Sequence, residues 1–440
     1  MKSFRLLPLA AALGAAMSVQ AADVEMFGFF DQGLAYVHEE LNKGMASPTG
    51  QTTANHVVNG KVEDGVTRSN LAQGTGNVST WGIKGSEVLT PDTKVIFHLE
   101  SGFLADDGTI YGPKHNQLFE RESSLGIESQ TWGQLKFGRM PALTTGSGTT
   151  GIFNSKTNPF GAGWGNMTGG WKFVGSLAAA RHDNMINYIS PSWNGLKLHA
   201  QYSFKSNQSD YDEGTSQNDR WAAVGATLTG EKFYLAAAVD WLDAASYGKG
   251  VKQSRDAYKA LIGGHYNFDS FKLYGSAAVD WLDAASYGPK DTVVQQSRDA
   301  YKVLVGGHYN FDSFKLYGSA QYMKNIAYIG GYSTKEFAPL AVNQAKSDQK
   351  GFEAWAVATG VDFKAAGGTV KMSVGYGAAE DQNLTSDNKM QRVNVGLGYQ
   401  YPLSKRTSIY GITGYFWQDA DWQKDDITAH EVIIGLMHRW

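Results

Sequence analysis

Residues 390–401 read MQRVNVGLGYQY, and their alternation decides the fold. Val393, Val395, Leu397, Tyr399 and Tyr401 fall on one face of an extended chain, and Arg392, Asn394, Gly396, Gly398 and Gln400 fall on the other. Successive side chains of a strand point to opposite faces, so this is a strand with one apolar and one wet side. The same period of two recurs elsewhere. In Gly195–Phe204, Leu196, Leu198, Ala200, Tyr202 and Phe204 oppose Lys197, His199, Gln201 and Ser203. In Thr369–Tyr376, Val370, Met372, Val374 and Tyr376 oppose Lys371, Ser373 and Gly375.

Composition says what the apolar faces meet. The chain has 52 Gly, 22 Tyr, 21 Phe and 12 Trp, yet its mean hydropathy is −0.33. A transmembrane β-barrel reconciles rich aromatics with average polarity. Half of each strand faces lipid, half faces water, and aromatic girdles mark both interfaces. No apolar run of roughly 18 residues exists, so helical spans are not expected. Without cysteine there are no disulfides, thiol nucleophiles or zinc–cysteine sites.

The first residues read as a processing segment. Lys2 and Arg5 precede an apolar stretch, Leu6–Met17, and Val19-Gln20-Ala21 supplies the small residues a signal peptidase needs. The expectation is a cleaved secretory signal over 1–21 and a single barrel domain over 22–440. Two of the 39 basic residues leave with the signal, so 37 face 42 acidic ones and the net charge becomes −5. That balance argues against a nucleic-acid partner, which requires a basic face.

Connections alternate between short and long. Short turns fall at Ser190–Gly195, Thr229–Lys232, Asn267–Ser270, Asn310–Ser313, Ala365–Gly368 and Tyr401–Arg406. Long polar stretches fall at His38–Thr75, Pro141–Ala180, Lys205–Asn218, Asp283–Ser297, Asn325–Gln349 and Gln418–Asp426. Short turns on one side and long loops on the other is the layout of an outer-membrane barrel. Eighteen strands are expected, beginning near Val24, Val78, Thr93, Gln117, Trp132, His182, Leu196, Arg220, Lys232, Ala257, Phe271, Ala300, Phe314, Gly351, Thr369, Met390, Thr407 and Thr428. An even number returns both ends to one side and leaves no open edge.

Two of those hairpins are copies. Ala238–Gly248 and Ala278–Gly288 are identical (AVDWLDAASYG), and Gln253–Ala277 matches Gln296–Ala320 except at Ala260/Val303 and Ile262/Val305. The repeat, 238–277 and 278–320, adds one loop and two strands. Both changes lie on the face of Tyr258, Tyr266 and Phe268, assigned to lipid. The alternative is a sixteen-strand barrel with one copy carried as an external loop.

The chain resembles the trimeric general diffusion porins of Gram-negative bacteria, of the neisserial and betaproteobacterial type. The resemblance rests on Trp81–Glu87 (WGIKGSE), Phe97–Phe103 (FHLESGF), Leu118–Ile127, Gly138-Arg139, Asn187–Pro191, Tyr401–Thr407 (YPLSKRT) and Gly435–Trp440 (GLMHRW), in that order. It implies an outer-membrane homotrimer and a third loop folded into the lumen. It implies lipid and lipopolysaccharide as surroundings, and assembly machinery that reads the terminal aromatic, here Trp440 where the family has Phe. Family members usually have sixteen strands, so the copied hairpin is a departure.

A porin's function lies in its bore and its lining charges. The resemblance assigns the third loop to Pro141–Ala180. This stretch holds no Asp or Glu and carries Lys156 and Lys172. Strand parity turns Lys84 to the lumen, because Trp81 and Ile83 point to lipid. Arg121 and Arg181 match family positions of a basic wall, whereas a further family arginine is Thr80 here. Arg139 lies where the fifth strand enters the loop. Glu100, Glu120 and Glu122 soften the positive bias if they reach the same level. Lys272, Lys315, Asp240 and Asp280 read as solvated wall charges, and His265 and His308 as wall lining.

The expected function is passive diffusion of ions and small hydrophilic solutes, with weak to moderate anion preference. A sugar- or anion-selective channel is the alternative, with Trp164, Trp171 and Phe173 as an aromatic track or as loop anchors. An enzyme is not expected: Gly146-Ser147-Gly148 lacks the spacing of a nucleophile elbow, and no phosphate cradle appears. No cofactor or metal is implied.

Overall fold

The computed structural model describes residues 23–40, 57–58, 61–62, 65–73, 77–110, 117–146, 148–153, 159–160, 181–206, 220–243, 257–282, 285–287, 294–296, 300–326, 328–329, 332–333, 351–382, 385–386, 388–421 and 426–440. Lys156, Lys172, Trp164, Trp171, Phe173 and the leader lie outside them.

The described residues form a closed antiparallel barrel of 18 strands. The first eight are β1 Asp23–Glu40, β2 in two segments (Gly65–Gln73 and Thr80–Val88), β3 Thr93–Gly102, β4 Glu122–Ser129, β5 Gly133–Pro141, β6 Arg181–Ile189, β7 Leu196–Ser203 and β8 Arg220–Thr229. The copied region gives β9 Phe233–Asp243, β10 Ala257–Asn267, β11 Phe271–Leu282, β12 Ala300–Asn310 and β13 Phe314–Ile326. The last five are β14 Phe352–Ala365, β15 Gly368–Asp381, β16 Lys389–Pro402, β17 Thr407–Ala420 and β18 Ile427–Arg439.

Each strand pairs with the next, and β18 pairs with β1 from Phe29↔Arg439 to Glu40↔Thr428. Closure removes the open edge that a bilayer would penalise. Both copies of the hairpin are built into the wall: β11 pairs β12 from Phe271↔Tyr309 to Asp280↔Ala300. The sixteen-strand alternative is set aside.

One segment departs from expectation. Within the stretch read as a loop, 38–75, residues Gly65–Gln73 form a strand and pair with Gln32–Glu40. Its exposed positions Thr67 and Ser69 are polar and Leu71 is apolar, so no alternation signals it.

The barrel is inside out relative to a soluble domain. Leu34, Val224, Ile262 and Ile434 are each more than 60% exposed, on the outward face. Val303 and Val305 are outward as well, so both changes between the copies swap one lipid-facing group for another. Inward positions of β1 and β17 instead carry Asp31 and Tyr410, joined by a hydrogen bond from the Tyr410 hydroxyl to Asp31 Oδ1 at 2.7 Å.

Candidate functional site

The third loop leaves β5 and turns into the lumen. Its first residues are pinned to one wall. The Leu143 amide donates to Gln201 Oε1 at 2.6 Å, and Thr144 Oγ1 donates to Asp240 Oδ2 at 2.8 Å. Asp240 is 6% exposed, so it is a loop anchor and not the solvated wall charge expected of it. Further along, the Tyr234 hydroxyl donates to the Ile152 carbonyl at 2.8 Å. Met140, Ala142, Leu143 and Ile152 pack with Met185, Trp221 and Ala236 into an apolar seam inside the barrel.

A charged clamp holds the middle of this segment. Lys136 Nζ donates to Glu122 Oε1 at 2.8 Å and to Thr149 Oγ1 at 3.1 Å. Thr149 Oγ1 donates to Glu122 Oε2 at 2.6 Å, and Ser124 Oγ donates to Glu122 Oε1 at 2.8 Å. The side chains of Lys136 and Glu122 are 7% and 1% exposed. Lys136 and the two hydroxyls supply this buried carboxylate with the donors that compensate its removal from water.

The loop then reaches the opposite wall. Lys371 Nζ, on β15, donates to the Pro159 carbonyl at 2.9 Å. Phe160 is 2% exposed and packs among Ala35, Tyr410, Ile412, Ile433 and Met437, on the inner faces of β1, β17 and β18. Two glycines make the socket. A Cβ on Gly398 would lie 2.8 Å from the Phe160 ring, and one on Gly360 would lie 2.6 Å from Pro159. The loop therefore bridges the β5–β10 wall to the β14–β18 wall, so solutes must pass beside it.

Arg121, Arg139 and Arg181 come together at the loop ends of β3–β6. Arg121 Nε donates to Glu100 Oε1 at 2.6 Å, and His98 Nε2 lies 3.5 Å from Glu100 Oε2. Arg139 Nη1 pairs with Asp183 Oδ1 at 2.6 Å, and its Nε donates to the Glu120 carbonyl at 2.6 Å. Arg181 Nε donates to the Arg121 carbonyl at 2.7 Å, and among the described residues it makes no salt bridge. Glu120 accepts the Gly102 amide on both oxygens, at 3.1 and 2.9 Å. Burial pushes the Glu120 carboxyl up, against the pull of that amide and of Arg121.

Register places Arg139 opposite Ser123, on the parity of the exposed Leu125 and Phe137, and the ladder shifts between Gly138 and Met140. Lys84 sits opposite His98 on the inner face and pairs with Glu25 at 3.1 Å, with both side chains well exposed. Exposed pairs of this kind are worth little and remain available to ions.

The carboxylates Glu100 and Glu122 thus reach the level of the basic groups and pair with them. Sequence reasoning missed Lys136, Asp183, Gln201, Lys371 and the Pro159-Phe160 foot. It also missed a lumen-facing row of rings, Tyr234–His265–Tyr274–His308–Tyr317, with centroids 5.5, 5.3, 6.1 and 5.6 Å apart. The row runs through both copies of the hairpin, so the repeat itself could have pointed to it.

At the other end, the Trp440 ring lies over Gly28, and its amide donates to the Gly28 carbonyl at 3.3 Å.

A model of the Gram-negative porin family matches residues 9–336 and 283–421. An outer membrane porin protein of Bordetella pertussis is 27% identical over 452 residues, covering 98% of this chain and 99% of that protein. Outer membrane porin protein 32 of Delftia acidovorans is 28% identical over 278 residues, covering 62% of this chain and 67% of that one. Among solved structures, the outer membrane channel DcaP of Acinetobacter baumannii aligns with TM-score 0.50 and 14% identity, over 95% of this chain and 97% of that one. The anion-selective porin of Comamonas acidovorans aligns with TM-score 0.49 and 18% identity, over 95% of this chain and 100% of that one.

Proposed function

From the premise that this chain belongs to the Gram-negative porin family and is an outer-membrane channel, we propose that it passes ions and small hydrophilic solutes with a weak to moderate preference for anions. One observation carries the preference. The third-loop stretch Pro141–Ala180, whose described residues reach both walls of the lumen, has no carboxylate in its sequence and two lysines, Lys156 and Lys172. The wall charges largely neutralise one another through Arg121–Glu100, Lys136–Glu122, Arg139–Asp183 and Lys84–Glu25. The surplus is therefore positive and small. A single-sign surplus in a narrow, low-dielectric passage focuses the field on passing ions.

Within this reading, Arg121 and Arg181 are the basic elements nearest the passage, and Lys84 lines the approach below. Arg139, Glu100, Glu120 and Glu122 fix the wall around them. The bilayer reversal potential in a salt gradient is the test. The wild-type pore gives an anion-selective sign, and Arg181→Gln moves it toward zero. A clear cation-selective sign for the wild type sinks the proposal.

The rest of the reading follows the family. The leader 1–21 is removed on export, Trp440 is presented to the barrel-assembly machinery, and the mature barrel works as a homotrimer among lipid and lipopolysaccharide. It carries out no bond chemistry and needs no cofactor. A sugar-selective channel is the second reading, favoured by the row of rings on β9–β13. Concentration-dependent block of conductance by a maltodextrin would support it.

A further inference from the structure

A hollow on the inner wall lies between the third-loop clamp and the short turns that join β2 to β3 and β4 to β5. Register builds it from two rows. Glu25, Lys84, His98 and Ser124 are cross-strand neighbours over β1–β4, on the parity of the buried Glu122. One step nearer the turns, Asp23, Ser86, Ile96, Gly126 and Lys136 follow one another over β1–β5. In this second row Gly126 has no side chain and Ser86 a short one, and a hollow of about 340 Å³ is left. Thr149, from the third loop, closes its edge toward the clamp.

Two opposite charges stand open in it. Lys84 Nζ lies 3.1 Å from Glu25 Oε2, with the side chains 46% and 61% exposed. The Phe27 ring occupies the space over Gly82, and the ammonium sits 5.4 Å from its centroid, so Lys84 has a fixed place on the wall. An exposed pair of this kind contributes only about 0–1 kcal/mol. A ligand that brings both counter-charges therefore replaces it at little cost. Lys136 differs, because its ammonium is committed to Glu122 and Thr149. At the far side, Gln134 Nε2 donates to Glu128 Oε2 at 2.7 Å, and its Oε1 takes no bond among the described residues.

We propose that this hollow is a vestibule site for a zwitterionic α-amino acid with an uncharged polar side chain. The proposal rests on the chain being a channel, and not on the sign of its ion preference. The charges select the occupant. A simple anion at Lys84 would meet Glu25 and, one row on, Asp23. A simple cation at Glu25 would meet Lys84. An α-amino acid carries both charges on one carbon, so its carboxylate takes Lys84 while its ammonium takes Glu25. Its side chain then runs along Ser86 and Ile96 toward the Gln134 carbonyl, an apolar floor ending in a hydrogen-bond acceptor. Both charge contacts stay open to the lumen, which sets a weak, millimolar affinity.

The test records current through the full barrel in a planar bilayer with equal salt on both sides, while L-glutamine is titrated in. The wild-type current should fall reversibly, with half-block at millimolar concentration. N-acetyl-L-glutamine keeps only the carboxylate and L-glutamine methyl ester only the ammonium, and each should block about tenfold less well. Lys84→Met and Glu25→Gln should each raise the half-blocking concentration of L-glutamine about tenfold. Ser86→Phe, which fills the hollow and keeps both charges, should do the same. Openings in buffer free of amino acid show that each variant is a folded pore. Three results would overturn the proposal: no block of the wild type, equal block by N-acetyl-L-glutamine, which would mark a plain anion site, or an unchanged half-blocking concentration in folded Ser86→Phe. A failure of the anion preference shows separately, in the reversal potential, and leaves the block in place.

Discussion

Phe160→Ala removes the foot of the loop that bridges the lumen, and its consequence can be worked from the contacts. Truncating a buried Phe costs about 3–5 kcal/mol in a close-packed core. The low end of that range, about 3 kcal/mol, is enough for the argument. A second tie among the described residues is the Lys371–Pro159 hydrogen bond at 2.9 Å. With a charged donor it contributes about 2 kcal/mol. Attachment of about 5 kcal/mol holds the foot detached for only about 2 parts in ten thousand of the time. Losing 3 of those 5 raises the detached fraction about 150-fold, to a few per cent.

Single-channel recording reads this directly. The wild type should show a steady open level, and Phe160→Ala should show brief upward excursions. Adding Lys371→Met should make the wider level common. Gly398→Leu provides an independent route, because it fills the socket and leaves the loop intact. The bridge reading fails if Phe160→Ala and Gly398→Leu both keep the wild-type conductance and noise.

Three further outcomes are expected. Glu122→Gln strands Lys136 without its counter-charge at a buried position and should destabilise the clamp by about 3–5 kcal/mol; the double variant Glu122→Gln/Lys136→Met should recover most of the lost thermal midpoint, and failure to recover would place the defect elsewhere. Deleting 278–320 joins Ala277 to Gln321 in the register of the second copy, and should yield a sixteen-strand pore whose lumen cross-section, scaling with the square of strand number, falls by about a fifth; scattering from the purified barrel would check the radius. Asp92, in the turn before β3, has its carboxyl held below the ordinary value chiefly by the Ser129 hydroxyl, with Thr131 and Thr93 adding to it. Its contribution is present above the ordinary carboxylate value near 3.8 and is lost as pH falls through the lowered one. The stability gap between wild type and Asp92→Asn should therefore close in acid, and a gap that widens there would contradict the assignment.

The strands were legible because lipid demands an apolar residue at every second position, and MQRVNVGLGYQY states that demand without ambiguity. The failure at Gly65–Gln73 has the same cause inverted: with Thr67 and Ser69 outward, the alternation is absent, and its pairing with β1 makes it a strand. Loop geometry is another matter. Parity could put Asp240 and Lys136 on the inner face. It could not say that Thr144 and Thr149 arrive there, because those meetings depend on a chord through the lumen and not on local pattern. For the same reason the absence of acid on the third loop was readable, while the neutralising pairs on the wall were not.

The copied hairpin has a consequence beyond the width of the pore. β9 and β11 end in the same residues, and β10 and β12 nearly match, so each unit carries matching pairing edges on its two sides. A unit with that property can be inserted or excised whole, and the strands left behind still find partners in register. Tandem repeats are also the segments most exposed to unequal recombination. The calibre of this channel is thus a quantity that a lineage can change by one discrete step, in either direction, with no new sequence invented.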